Sequence, residues 1–142
     1  GWEWMPQKLD GMGLTKENCN GVDVREYIYN MPTVMAAADV IISRAGASSC
    51  NEIAASGTPC ILIPSPNVTD NHQEKNARAL EKEGAAEVIL EKDCTPQYLM
   101  TRVTALLEDS DRSKAMGSAL RKMCVLDSAE RLCDIIRELA SK

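Results

Sequence analysis

The residues best suited to chemistry lie in one run, Ser43-Arg44-Ala45-Gly46-Ala47-Ser48-Ser49-Cys50-Asn51-Glu52, which leads from an apolar segment through small residues into a helical pattern. Small side chains let a ligand approach the backbone, and Gly46 has access to positive φ. The N–H groups after Ala47 belong to a helix start, where the first turn lacks internal acceptors and the helix dipole favours an anion. A diphosphate fits that description. Arg44 can add positive charge there, or it can pair with a carboxylate of the fold. Ser49-x-x-Glu52 also has the form of a capping box, in which each side chain satisfies a backbone donor. The readings are compatible, because an acid one turn into a phosphate-cradling helix can accept hydrogen bonds from ribose hydroxyls.

Two other segments carry candidate groups. In Pro64-Ser65-Pro66-Asn67-Val68-Thr69-Asp70-Asn71-His72-Gln73-Glu74-Lys75-Asn76-Ala77, amides and hydroxyls crowd a loop before a helix, which suits a sugar whose hydroxyls need both donors and acceptors. On composition alone, Asp70 or Asn71 is an N-cap and His72 a surface or capping residue. In Tyr27-Ile28-Tyr29-Asn30-Met31-Pro32, a planar base could pack on Ile28 and Met31 while backbone groups read its edge. The same residues also read as apolar side chains entering a helix after a turn.

The elements that must position these groups follow from hydrophobic periodicity. Strands are expected over residues 22–28, 40–43, 60–63 and 86–90, and helices over 32–38, 49–56 and 71–83, the last two ended by Gly57 and Gly84. Three more helices, over 96–108, 111–123 and 128–140, have caps at Thr95, Ser110 and Asp127. Short, nearly continuous apolar strands alternating with helices predict an α/β fold, a Rossmann-like parallel sheet with flanking helices. Ligands of such sheets bind beyond the carboxyl ends of the strands, so the loops after Ile28, Ser43 and Ile63 are the places for a site. Residues 1–21, with Trp2 and Trp4 close together and glycines at 11, 13 and 21, read as an irregular segment ahead of a domain over 22–142.

Composition narrows the function. The 142 residues are 44% hydrophobic and 26% charged, so a folded domain is expected, and with 4% aromatics and no Phe its core must be aliphatic. A net charge of -5 opposes binding to a polyanion, so nucleic acid is not an expected partner. The six cysteines, at 19, 50, 60, 94, 124 and 133, form no C-x-x-C pair and read as reduced thiols of a cytosolic protein. With His72 the single histidine, no metal site is expected. No apolar run is long enough to span a bilayer, and the start has no signal pattern. The chain begins without Met and reads as a piece of a longer protein.

Taken together, the segments resemble the C-terminal domain of the MurG family. The resemblance runs from about Val22 onward and rests on Ala37-Ala38-Asp39 before an apolar strand, Arg44-Ala45-Gly46-Ala47 with Glu52, Gly57-x-Pro59, Asn71-His72-Gln73-x-x-Asn76-Ala77 and Gly84-Ala85-Ala86, in order and correctly spaced. It implies the C-terminal half of a GT-B glycosyltransferase, moving N-acetylglucosamine from UDP-N-acetylglucosamine to a lipid-linked muramoyl-peptide precursor of peptidoglycan, with inversion and without metal or cofactor. By the same resemblance, Ile28 reads uracil through its backbone with Met31 nearby, and Glu52 bonds the ribose. Arg44, Gly46, Ala47, Ser48 and Ser49 surround the diphosphate and sugar, while His72 and Gln73 read sugar hydroxyls, with Asn76 on the same helix face. Other members carry Gln where this chain has His72.

The family's catalytic base, acceptor site and membrane contact belong to its N-terminal domain, at the inner face of the bacterial plasma membrane. This polypeptide alone is therefore expected to turn over weakly or not at all. Three alternatives use the same residues: another UDP-sugar transferase of GT-B architecture, a non-catalytic donor-binding subunit that recruits a separate acceptor and membrane partner, and an α/β module whose loops are only caps and turns.

Overall fold

The computed structural model describes residues 4–13 and 21–141. The chain forms two compact units, Gly1–Met31 and Pro32–Lys142.

In the first unit, a short helix α1 (Trp4–Gly11) stands where an irregular segment was expected. Pro6 is tolerated because it lies in the first turn, where a missing N–H breaks no helical bond. Lys8 Nζ lies 5.6 Å from the centre of the Trp4 ring, a cation–π contact at i,i+4 spacing. Trp2 and Cys19 lie outside the described residues. The strand expected over 22–28 is not formed. Charged residues interrupt that run: Arg25 Nε donates to Asp23 Oδ2 at 2.8 Å, and Val22, Val24 and Tyr27 are exposed, so the segment has no buried face to favour a strand.

The second unit holds a parallel sheet of three strands, β1 (Ile41–Ser43), β2 (Cys60–Leu62) and β3 (Glu87–Val88), in the order β1-β2-β3. Ile41 pairs with Cys60 and Ile61 with Glu87. Every residue of the central strand is buried, as a strand covered on both faces requires, which is why Cys60 to Ile63 reads as an unbroken apolar run. Helices α2 (Met31–Ala37), α3 (Ala47–Ser56), α4 (His72–Lys82), α5 (Pro96–Glu108), α6 (Ser110–Met123) and α7 (Ser128–Ala140) complete the sequence of elements.

Local chemistry sets the helix ends. Gly57 takes φ 65°, and its N–H reaches Ile53 O at 3.0 Å, closing α3 in the left-handed conformation that glycine adopts without strain. Thr95 caps α5 by accepting from Tyr98 N at 3.2 Å, with Pro96 at the first helical position. The cap of α6 is Asp109, one residue ahead of the expected Ser110, because its Oδ1 accepts from Arg112 N at 3.0 Å.

The core is aliphatic, with Ile53, Ile61, Leu62, Leu106 and Leu120 fully buried; each such side chain contributes about 1.5–3 kcal/mol. Helix α3 crosses α6 at a close backbone contact. A Cβ placed on Gly117 would lie 2.5 Å from the carbonyl oxygen of Gly57, so the two backbones touch where any side chain would force them apart. A charged residue also sits in β3: Glu87 is 9% exposed, held by Arg102 Nε at 2.8 Å and by a close ion pair with Arg112. A buried carboxylate survives only with such partners, and here they fix α5 and α6 to the sheet.

Candidate functional site

The loop from β1 to α3 opens at the carboxyl end of the sheet. Its first intrahelical bond runs from Cys50 N to Gly46 O at 2.9 Å, so the amides of Ala47, Ser48 and Ser49 precede the helical ladder and lack an acceptor within it. Gly46 is the N-cap, and no side chain caps the helix. The capping box is therefore not formed: the helix begins two residues before Ser49, which places Ser49 in the first turn rather than at the cap. Gly46 lies at φ -65°, ψ 150°, so its value here is space rather than a left-handed turn. A Cβ on it would meet nothing nearer than Ser49 Oγ at 3.8 Å.

Ala47 and Ser48 are exposed and Ser49 is half-buried, so water or a ligand can reach these amides. Glu52 is exposed one turn further along, four residues after Ser48 and therefore on the same stripe of the helix. Its carboxylate has no hydrogen bond or ion pair among the described residues. The sequence run thus becomes an open row of donors followed by an uncommitted acceptor.

The second loop, from β2 to α4, is fastened to the first. Asn76 Nδ2 donates to Ala45 O at 3.1 Å, and Gln73 Oε1 accepts from Ser65 N at 2.9 Å. Both side chains lie on one face of α4, and both spend a polar atom on holding loop backbone. His72 is exposed, and its Nδ1 lies 2.8 Å from Thr69 O. A carbonyl can only accept, so Nδ1 carries the hydrogen and the Nε2 of the neutral ring is left as an acceptor.

Ahead of α4, Asp70 and Asn71 both have positive φ, 55° and 50°, in the turn Thr69–Asn71. Among side-chain-bearing residues these two types tolerate that conformation best. Asn71 is the backbone cap of α4 without a capping side chain, since its Nδ2 donates to Glu74 instead, at 2.6 Å.

Arg44 takes the second of its two expected roles. Its Nη1 donates to Ile63 O at 3.2 Å and forms a close ion pair with Glu91, at the start of the turn Glu91–Asp93. Its charge is balanced by the protein. Glu91 is the residue that motif reading misses, although an acid directly after the apolar pair Ile89-Leu90 marks the exit of the third strand, where a counter-charge for Arg44 had to be sought.

Ile28 and Met31 belong to the first unit. Ile28 is half-buried in a stretch that is neither helix nor strand, so it does not end a strand as expected, and Met31 is 37% exposed at the start of α2. Among the described residues, no group of three or more His, Cys, Asp or Glu side chains is arranged to hold a metal ion.

A hollow of about 330 Å³ lies at the exits of β2 and β3, lined by Pro64, Pro66, Asn71, Glu74, Leu90, Glu91 and Lys92. A larger groove, about 490 Å³, runs past Asp39, Pro59, Lys114 and Arg121 at the amino ends of the strands. The smaller one is at the end where parallel sheets place their ligands.

A parallel α/β layer with an uncapped helix start, an open carboxylate and a polar loop on its carboxyl rim defines a Rossmann-like domain. The chain belongs to the glycosyltransferase family 28 C-terminal domain family, whose model matches residues 3–132. It is 44% identical over 118 residues to a UDP-N-acetylglucosamine--N-acetylmuramyl-(pentapeptide) pyrophosphoryl-undecaprenol N-acetylglucosamine transferase of Acetivibrio thermocellus, covering 83% of this chain and 32% of that protein. A Bacillus thuringiensis transferase of the same name, numbered 2, is 41% identical over 127 residues, covering 89% and 35%. The chain thus spans about a third of the length of these relatives.

Among solved structures, MurG of Acinetobacter baumannii superposes with a TM-score of 0.78 at 25% identity, covering 93% of this chain and 39% of that one. A glycotransferase of kitacinnamycin, at 24% identity and a TM-score of 0.71 over 87% and 31%, shares the fold. The fold is that of the C-terminal half of a GT-B glycosyltransferase.

Proposed function

We propose that this domain holds UDP-N-acetylglucosamine for inverting transfer of the sugar to the 4-hydroxyl of a lipid-linked muramoyl-peptide, a step of peptidoglycan synthesis. In the reaction, the bond from the anomeric carbon to the diphosphate breaks as the bond to the acceptor oxygen forms. UDP leaves with the electron pair, and the hydroxyl proton passes to a base. Charge therefore accumulates on the diphosphate in the transition state, where preorganised N–H donors in a fixed direction are most effective. The amides of Ala47, Ser48 and Ser49 supply them, and the helix dipole adds to their effect. Glu52 accepts from ribose hydroxyls, and His72 and Gln73, through His72 Nε2 and the amide nitrogen of Gln73, meet the sugar. In this reading the charge is met by protein groups without metal.

The uracil-reading roles of Ile28 and Met31 rest on the family resemblance alone. In a full-length protein of this kind, the acceptor-holding half supplies the base and the contact with the inner face of the plasma membrane. Among the described residues, no helix is long and apolar enough to cross a membrane.

The open amides beside an uncommitted Glu52 carry this reading. Titration calorimetry with UDP tests it: the chain binds UDP, UDP-N-acetylglucosamine competes better than UDP-glucose, and Glu52→Ala weakens binding by about tenfold or more, the worth of a charged hydrogen bond. No response of either variant to millimolar UDP overturns it. With lipid acceptor added, this polypeptide alone shows little or no turnover.

A further inference from the structure

Arg44 sits where β1 ends, and it reaches the exits of both other strands. Its Nη1 bonds to the carbonyl of Ile63, just beyond β2, and pairs with Glu91, which opens the turn beyond β3. The side chains are 52% and 42% exposed, so solvent screens the pair and its weight in global stability is small.

Arg44 and Ala45 feed directly into the N-cap. From one side the backbone is held through the Arg44 side chain, and from the other by Asn76 Nδ2 on Ala45 O. Gly46 is ordinary extended backbone without a capping side chain, so what aims the first-turn amides is whatever holds residues 44 and 45.

We propose that Glu91 and Arg44 form a positioning pair for the diphosphate site, fixing the direction of the Ala47–Ser49 amides, and that Arg44 is not itself a diphosphate ligand. This rests on the reading of the site as a UDP site. Coulomb's law separates the two roles by sign. Removing the Glu91 charge from the neighbourhood of an anionic ligand strengthens binding electrostatically, and it frees Arg44 if that residue is a ligand. Removing a positioning group weakens binding.

The experiment compares the whole chain with Glu91→Gln, Arg44→Met and the double variant, by UDP calorimetry and by amide NMR spectra of the ligand-free proteins. Each single substitution weakens UDP binding by about three- to tenfold, and the double variant is little worse than the weaker single, as for two residues acting as one unit. The Ala47, Ser48 and Ser49 amide signals move in ligand-free Glu91→Gln, while its thermal midpoint changes little. Tighter or unchanged UDP binding by Glu91→Gln, additive losses, or unmoved helix-start signals overturn the proposal. If the unaltered chain does not bind UDP, the UDP reading fails separately, and the ligand-free spectra still decide whether Glu91 aims these amides.

Discussion

Cys60 shows how far a single side chain is committed to the interior. It is fully buried in the central strand, its Sγ faces Ala85 O at 3.6 Å, and burial pushes its thiol from an ordinary 9.0 up to about 12. The folded chain keeps this proton while the unfolded chain releases it near pH 9. The resulting stabilisation is complete below pH 9 and is lost as pH rises toward 12, by at most about 1.4 kcal/mol per unit. Urea midpoints at pH 8 and pH 10.5 check this, with the unaltered chain losing more than Cys60→Ala over that interval. Iodoacetamide at neutral pH labels the exposed Cys133 in the folded protein and Cys60 only after unfolding. At this scale the exposure of the candidate residues was legible, and their partners within the protein were not. Ala47, Ser48 and Glu52 are exposed, and no side chain among the described residues bonds to them. Arg44, Gln73 and Asn76 each hold loop backbone, and no local pattern encodes partners 19, 8 and 31 residues away.

Among elements, the crossing of α3 and α6 is the least forgiving. Gly117→Ala drives a Cβ into the Gly57 carbonyl, which cannot retreat because Gly57 also closes α3 in its left-handed turn. The expected loss is about 1–3 kcal/mol, read from urea unfolding, and the control Gly84→Ala tests φ strain without a clash, since nothing lies within 4 Å of its added Cβ. Elements with strong periodicity or clear caps were readable: α5 ran over its expected residues, and β2 was recognisable from its unbroken apolar run. The misplaced ones have separate physical causes. The start of α3 was read from side-chain caps, whereas Gly46 begins the helix with backbone alone. Residues 22–28 have apolar alternation spoiled by Asp23, Arg25 and Glu26.

For the molecule as a whole, apolar surface is unevenly distributed. Leu132, Ile135, Ile136 and Leu139 line one face of α7 and are 53–66% exposed. These residues contribute little to folding as they stand, so Ile135→Glu with Ile136→Lys shifts the thermal midpoint by no more than about 2 °C while reducing light scattering at high protein concentration. The parallel α/β class was readable from the alternation of short apolar runs and helices, because a sheet covered on both faces leaves that mark on its strands. The small sheet was readable too, but among the described residues it has three strands rather than the expected four, since residues 22–28 form no strand. The glycine contact between α3 and α6 reaches further than stability. At ten residues α3 is a rod about 15 Å long, with its open first-turn amides at one tip and Gly57 at the other. Tilting the Gly57 tip by about 5° swings the opposite tip by about 1 Å, enough to lengthen a hydrogen bond made there beyond its useful range. The glycine contact at the back of the domain and the bonds on residues 44 and 45 at its front thus bear on the same tip.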